Sequence, residues 1–265
     1  MPNHSSVSAS TAFLLLTLAA APASAFQPLV TDDTGTQGAG GNQIEFSFNQ
    51  DRQKAGGETQ RTRTLPLVYT RGVSETLDLF AGISQVRIRS SLPGGDASGV
   101  GNPVFGAKWR FYENEASKTS LGFKPQILLP VGGEREAKGL GDGRTSFGAT
   151  AILTQELPFG ALHANLGLAR DRYRDPAFSP DKTTLHASLA PVWDLGEQWK
   201  LALDFGGDRA SGGGTTVYSR YGEIGVVYSP HKDLDFALGF IHSRDNASPK
   251  AATETLTLGV TWRFK

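Results

Sequence analysis

The C-terminal stretch Thr255–Phe264, TLTLGVTWRF, decides the fold. Apolar and polar residues alternate through it without a break, so Leu258 and Val260 share one face and the threonines share the other. Successive side chains of a β-strand point to opposite faces, so this period of two predicts a strand with one apolar face. A chain that ends on such a strand, with Trp262 and Phe264 at its tip, is typical of bacterial outer-membrane barrels.

The same alternation recurs along the whole chain. Twelve segments carry it: 42–51, 62–72, 75–89, 102–112, 118–130, 144–156, 160–171, 183–194, 198–208, 217–228, 233–243 and 253–264. Their lengths suit strands that cross a bilayer at a tilt. The pattern therefore predicts an all-β fold, a transmembrane antiparallel β-barrel of about twelve strands.

The connections between these segments alternate between short and long. The longer ones, such as 52–61, 131–143 and 172–182, are rich in Gly, Pro and charged residues. Short periplasmic turns and longer external loops characterise outer-membrane barrels, and an even strand number places both termini at the periplasmic end. Aromatic residues gather near the short turns, as an interfacial girdle would: Tyr69, Trp109, Tyr112, Trp193, Trp199, Tyr228 and Trp262.

The N-terminal 25 residues read as a secretory signal peptide. They contain no Lys, Arg, Asp or Glu, and an apolar run at 11–21 precedes Ala23-Ser24-Ala25, a cleavage signal. The domain organisation is therefore predicted as a signal peptide at 1–25, an N-terminal periplasmic leader or plug segment at 26–41, and an outer-membrane β-barrel at 42–265. The protein is expected in the bacterial outer membrane after cleavage near Ala25-Phe26.

Composition narrows the possible functions. The 26 basic and 26 acidic residues balance, which gives no indication of nucleic-acid binding. The chain has no Cys, so disulfides do not hold it together. The mean hydropathy of −0.26 is compatible with a membrane barrel, where apolar residues occupy every second position. We expect no cofactor and no metal site.

The segment at 26–41 allows two interpretations. Its paired aspartates and its glycines indicate a turn-rich, non-strand structure. Composition favours a flexible periplasmic leader, and the alternative is a plug folded into the mouth of the lumen. The plug candidates are Thr31, Asp32, Asp33 and Gly35.

The chain also resembles a known family. The motifs are PLVTDDTGT at 28–36, GVGNP at 99–103 and KWRF at 108–111. They resemble the family called "putative MetA-pathway of phenol degradation". The resemblance implies an outer-membrane barrel, often described as a transporter, and it brings no catalytic residues.

Polar residues on the predicted inner faces are candidates for the lumen lining. They could form ion pairs that stiffen a narrow barrel, or tune selectivity for a solute. The set is Glu45, Asp78, Lys108, Arg110, Lys124, His163, Asn165, His186, Ser188, Asp194, Lys200, Asp204, Glu223 and Asp235. The inner faces also carry glycines, which either relieve crowding or leave space for a solute: Gly82, Gly106, Gly122, Gly148, Gly167, Gly206, Gly225, Gly239 and Gly259.

One pair of residues invites a catalytic interpretation. His186 and Ser188 resemble the His-x-Ser pair of outer-membrane phospholipase, and His163 is expected close to His186. However, His186 and Ser188 are predicted to face inward, whereas a lipid hydrolase must present its nucleophile to the bilayer. We therefore expect no catalytic residues.

The sequence thus predicts an outer-membrane channel or transporter for small molecules, with aromatic or hydrophobic compounds as the candidate class. A phospholipase-like barrel enzyme and a structural barrel without transport are the alternatives. The expected partners are outer-membrane lipid, the barrel-assembly machinery through the C-terminal strand, and a small solute not identified by the sequence.

Overall fold

The computed structural model describes residues 27–92, 94–175 and 179–265. The predicted signal peptide lies outside these residues. The thirteen strands are β1 Asn42–Ala55, β2 Glu58–Gly72, β3 Leu77–Ser90, β4 Ala97–Val100, β5 Val104–Asn114, β6 Thr119–Leu128, β7 Ser146–Leu157, β8 Gly160–Asp171, β9 Lys182–Asp194, β10 Trp199–Gly212, β11 Thr215–His231, β12 Leu234–Asp245 and β13 Ala251–Phe264. One short helix, α1 Gly133–Ala137, lies between β6 and β7.

The strands form a closed antiparallel barrel. Neighbours along the chain pair with each other, and β1 closes the sheet by pairing with β13 from Asn42 opposite Phe264 to Ala55 opposite Ala251. The short β4 and the longer β5 pair with successive parts of the same strand, β3, so the barrel has twelve strand positions. Closure leaves no unpaired sheet edge, which a membrane-spanning sheet requires.

The predicted strand at 102–112 begins two residues later in the structure, and the connection before it contains a further short strand, β4. β4 ends at Val100 and β5 begins at Val104, with Gly101-Asn102-Pro103 between them. Proline has no N–H to donate to a β-ladder, which favours a break here. The Asn102 side chain instead donates to the backbone oxygens of Leu129 and Asp142, at 2.7 and 2.9 Å.

The two faces of the sheet carry opposite chemistry. On β13, Leu258 is 46% exposed while Thr257 is buried, and on β5 Trp109 is 50% exposed while Lys108 is buried. Large apolar side chains are thus outside and polar ones inside, the reverse of a water-soluble barrel. This arrangement matches the faces predicted from the period of two.

Aromatic side chains gather at the short-turn end of the barrel. Trp199 stacks on Tyr228 across β10 and β11 with ring centroids 4.5 Å apart, and Phe159 stacks on Trp193 at 5.8 Å. Trp262, near the end of β13, is 51% exposed. Exposed amphipathic rings in one belt are what a membrane–water interface favours.

The predicted long connection at 52–61 is wrong. β1 and β2 continue to a two-residue turn, Gly56-Gly57, and β10 and β11 likewise meet at Gly213-Gly214. All four glycines have positive φ, which two-residue hairpin turns favour because their twist then matches that of the strands. The polar residues that the sequence pattern assigned to a loop therefore belong to the strands and lengthen these hairpins. The connections at 129–145 and 172–181 do remain long.

Among the described residues, no helix is long and apolar enough to cross a membrane.

The outward face of β13 gives a direct test of the lipid-facing assignment. Replacing Leu258 by Arg should lower the unfolding free energy by about 2–4 kcal/mol, because the charge would lie near the bilayer midplane. Thr216 is the control, since it is exposed on the outward face of β11 beside the Gly213-Gly214 turn, away from the middle of the barrel wall, and lies opposite the neutral Ser211. Thr216→Arg should cost about 0–1 kcal/mol. Urea unfolding in phospholipid vesicles measures both, and equal costs would contradict the assignment.

Candidate functional site: the N-terminal segment inside the barrel

Residues 27–41, called the N-terminal segment below, lie inside the barrel. Their side chains and backbone contact inward faces of strands around the closed wall, from Ser47 on β1 to Asp204 on β10. Leu29 is 3% exposed and packs with Ala190, Val192 and Ala202 of β9 and β10. The segment then leads directly into β1. An irregular polar chain buried in this way needs partners for its backbone groups.

A charged cluster contacts the middle of the segment. The Asp32 carboxylate lies 2.6 Å from Lys124 Nζ and 3.4 Å from Lys108 Nζ, and these three side chains are at most 9% exposed. Asp33 lies 3.6 Å from Lys108. Burial acts to raise the pKa of the Asp33 carboxyl, but the Lys108 charge and a hydrogen bond from the Gly35 amide hold this pKa below its usual range. The cluster therefore connects the segment to β5 and β6, and its two carboxylates balance the charges of the two lysines.

A second cluster, on β9 to β11, holds Thr31. The fully buried Asp204 accepts the Thr31 amide at 2.7 Å, and its other oxygen lies 2.8 Å from both Thr31 Oγ1 and Tyr221 Oη. Thr31 Oγ1 is also 2.8 Å from Ser188 Oγ. Asp204 is thus the main acceptor for this part of the segment.

Backbone groups of the segment find side-chain partners on the wall. The Asn165 side chain, with its amide oriented to satisfy both partners, bonds the backbone of Asp32. Its oxygen accepts from the Asp32 backbone N–H at 2.6 Å, and its nitrogen donates to the Asp32 backbone carbonyl at 3.0 Å. Thr34 donates its amide to Thr154 Oγ1 at 3.1 Å, and Val30 donates to Glu223 at 3.3 Å. The wall therefore substitutes for the hydrogen bonds that regular structure would have given.

The segment turns back towards the barrel end at Gln37. The Gln37 amide lies 3.1 Å from both Asp78 carboxylate oxygens, and the Ala39 amide donates to Glu75 at 3.2 Å. Backbone hydrogen bonds link Gly72 of β2 with Gly40 and Gly41. These contacts return the chain to the short-turn end, where β1 begins.

The inward glycines make room for side chains that fill the barrel. A Cβ at Gly225 would lie 2.7 Å from Pro28 Cγ, and one at Gly239 would lie 2.8 Å from Pro28 Cβ. At Gly206 a Cβ would lie 2.6 Å from the Tyr221 ring. The space at these glycines is therefore occupied, either by the N-terminal segment or by a neighbouring inward residue.

Apart from His186, which is described in the next paragraph, the structure places the predicted lumen residues in three groups. Nine are buried, seven of them in the contacts above: Glu45, Asp78, Lys108, Lys124, His163, Asn165, Ser188, Asp204 and Glu223. Two pairs lie nearer the short-turn end without a hydrogen bond to the segment, Lys200 with Asp194 and Arg263 with Asp235. Arg110 donates to the Glu75 carbonyl at 3.1 Å. Of the plug candidates, Thr31 and Asp32 are buried, Asp33 is partly buried and Gly35 is exposed.

The two inward histidines are not close to each other. His163 on β8 lies opposite Ala190, whereas His186 on β9 lies opposite Gly167, four positions along the strand. His163 Nδ1 is 3.0 Å from Thr154 Oγ1, and His186 Nδ1 is 2.7 Å from Asp208. The expected proximity was wrong because it ignored the register between β8 and β9. Among the described residues, no three His, Cys, Asp or Glu side chains converge as a metal site would require.

Several site residues were missed by the sequence analysis. Leu29, Thr34, Thr154 and Tyr221 all contribute to the contacts of the segment or of Asp204. Tyr221 has the same parity as Glu223 on β11, so the period of two could have identified it as inward. The segment residues carried no such signal, because irregular structure has no period.

The His186–Ser188 pair does not form an activated nucleophile in this arrangement. Ser188 Oγ is within hydrogen-bond distance of Thr31, whereas the His186 ring bonds Asp208 and stacks on Tyr221 at 6.2 Å. A serine nucleophile needs the base within hydrogen-bond reach of its hydroxyl. Both side chains also point away from the lipid-facing surface.

Comparison with known proteins supports the architecture. The family model described as "Putative MetA-pathway of phenol degradation" matches residues 25–264. The COG4313 outer membrane channel from Pseudomonas putida F1 is similar with a TM-score of 0.68 at 18% identity, over 88% of this chain and 98% of that one. The β domain of the Bordetella autotransporter BrkA is similar with a TM-score of 0.56 at 16% identity, over 85% and 100%. No curated protein matches the sequence. These likenesses show the fold, a closed antiparallel barrel of the outer-membrane type.

Proposed function

The chain belongs to the "Putative MetA-pathway of phenol degradation" family, and on that premise we propose that it is an outer-membrane channel for small molecules whose lumen is closed by the N-terminal segment. One observation carries this proposal. The polar interior of the barrel is crossed by a segment that side-chain contacts hold at two clusters and that, within the described residues, is covalently joined to the wall at β1. Such a segment can leave the lumen without unfolding the sheet.

The proposed orientation follows from the barrel ends. Both termini and the short turns would face the periplasm, and the connections at 129–145 and 172–181 would face outside. A signal peptide at 1–25 would direct export, and residues 26–41 would act as the plug rather than as a free leader. The plug residues would be Thr31, Asp32 and Asp33, with Lys108, Lys124 and Asp204 as their lumen partners.

Aromatic and other hydrophobic compounds are the proposed solute class. The family description supports this class. The COG4313 relative is a channel, which supports transport over catalysis. Uptake of a radiolabelled aromatic compound by bacterial cells, with and without the protein, measures the activity directly. Equal uptake would contradict the proposed solute class.

A deletion variant tests the channel itself. The mature chain and a variant lacking residues 27–37 would be reconstituted in planar bilayers, with heat-modifiable gel migration as the control for folding. The deletion should raise ion conductance strongly, because it removes the chain that crosses the lumen. If the folded deletion variant conducts no more than a protein-free bilayer, the barrel is structural and the channel proposal fails.

Ser188 distinguishes the channel from the rival lipid hydrolase. Ser188→Ala removes one hydrogen-bonding hydroxyl near Thr31 and should destabilise segment docking by only about 1 kcal/mol. Phospholipid hydrolysis by the purified protein should be at background level before and after the change. Hydrolysis in the wild-type protein that Ser188→Ala abolishes would establish the enzyme instead.

A further inference from the structure

Six basic side chains form a patch on the outside of the barrel. They lie at the end of β1, β2 and β3 opposite the C-terminus, and each is exposed and shares the outward parity of its strand. This basic patch consists of Arg52, Lys54, Arg61, Arg63, Arg87 and Arg89.

The strand register brings these charges against each other. Arg61 on the central strand lies directly opposite Arg52 on one side and Arg89 on the other. Arg63 lies opposite Arg87. Neighbouring strands are about 4.8 Å apart, and like charges placed directly opposite are destabilising. Three arginines in one row therefore oppose the pairing of their own strands unless an anion lies between them.

The protein does not supply that anion from its own side chains. Within the described residues, none of the six forms an ion pair within 4.0 Å, and the side-chain bond of Arg63 goes to the neutral Gln50 at 3.1 Å. Glu254, the outward residue opposite Arg52 on β13, lies on the far side of Arg52 from Arg61 and forms no ion pair with Arg52 within 4.0 Å.

Other arginines at this end of the barrel do form ion pairs. Arg144, Arg170 and Arg172 all approach Asp181, at 2.6, 3.5 and 4.0 Å. The loops thus neutralise their arginines with a shared carboxylate, whereas the outward face of β1 to β3 leaves its charges available.

The height of the patch relative to the apolar belt indicates its partner. Large apolar side chains face outward on the same three strands, nearer the middle of the barrel wall. One or two outward positions separate them from the patch: Phe46 and Phe48 on β1, Leu67 on β2 and Ile83 on β3. Basic side chains directly beside a lipid-facing belt lie at the level of lipid headgroups. Guanidinium groups bind phosphate through two parallel hydrogen bonds.

We propose that the basic patch binds the phosphates of an outer-leaflet lipid of the lipid A class. Phosphate oxygens would bridge Arg61 to its flanking arginines and convert repulsion between strands into attraction. This assignment rests on the proposed orientation, in which this end of the barrel faces outside. It does not depend on any solute passing through the lumen.

The test compares two double variants of the purified, folded protein. Arg61→Gln with Arg89→Gln removes two facing charges of the patch. Lys118→Gln with Lys232→Gln removes two exposed charges at the opposite end, beside short turns, and is the matched control. Native mass spectrometry measures binding of bis-phosphorylated lipid A, dephosphorylated lipid A and phosphatidylglycerol. Thermal unfolding in detergent measures stability with and without each lipid.

Lipid A should bind the wild type and the control equally, and the Arg61/Arg89 variant about 30-fold more weakly, because each basic residue contributes to attraction of an anionic headgroup. Without lipid the Arg61/Arg89 variant should be at least as stable as wild type, since a like-charge pair is gone. Equal lipid A binding by the Arg61/Arg89 variant and wild type would overturn the proposal. So would equally tight binding of dephosphorylated lipid A or phosphatidylglycerol to the wild type.

Discussion

Replacing Asp32 by Ala is expected to open the lumen. The change removes the carboxylate that lies between Lys108 and Lys124 and leaves two buried ammonium groups without their principal partner. Breaking a buried ion pair by removing one partner costs about 3–5 kcal/mol. The population of the released state of the N-terminal segment, relative to the docked state, should therefore rise by a factor of about a hundred or more.

Single-channel recordings in planar bilayers measure this effect as a rise in the open fraction. The control is Asp51→Ala, because Asp51 also faces inward but bonds Thr255 on the adjacent strand, at 2.6 Å, and not the segment. Its conductance should stay at the wild-type level. Unchanged conductance in a correctly folded Asp32→Ala protein would show that the segment does not gate the lumen.

A triple variant separates gating from folding. Changing Lys108 and Lys124 to Met together with Asp32→Ala removes the unpaired buried charges, which are the costly feature of the single variant. Stability of the barrel should recover towards wild type and conductance should fall back towards the wild-type level, because the docked state no longer contains an unpaired ammonium group. If the triple variant conducts as much as Asp32→Ala, the unpaired lysines are not what releases the segment.

Replacing Asp204 by Ala should release the other half of the segment. Asp204 accepts the Thr31 amide and contacts the Thr31 and Tyr221 hydroxyls, so its loss leaves a buried N–H without an acceptor. An unsatisfied buried donor costs about 1–3 kcal/mol. The open fraction should rise by about tenfold to a hundredfold. Asp204→Asn should have a smaller effect because its amide oxygen can still accept.

Asp208 provides the matched comparison. It has the same parity as Asp204 on β10 and is also bonded, to His186 at 2.7 Å and Ser219 at 3.1 Å, but it has no hydrogen bond to the N-terminal segment. Asp208→Ala should therefore lower barrel stability without raising conductance. Equal conductance in the two variants would mean that Asp204 acts on the barrel wall and not on docking.

The sequence by itself determined the wall of this barrel. The period of two is a local property of each strand, so the outward apolar and inward polar sets could be assigned without knowing any neighbour. Leu258 outside and Thr257 inside on β13 illustrate this, as does Lys108 inside between outward residues of β5. The number of strand positions followed from counting such segments.

Only the tertiary structure decided what occupies the interior. Asp32 meets Lys108 and Lys124 across 76 and 92 residues of sequence, and the meeting depends on how the closed sheet curves and on its register. The sequence allowed a plug at 26–41 but did not identify its partners, and composition favoured a free leader, because a polar and glycine-rich segment has no periodicity and its partners lie on strands far along the chain. Strand register also separates His163 from His186, and it places Arg52, Arg61 and Arg89 in one row. Alternation fixes the face on which a side chain lies, whereas strand register and barrel closure fix what it meets there.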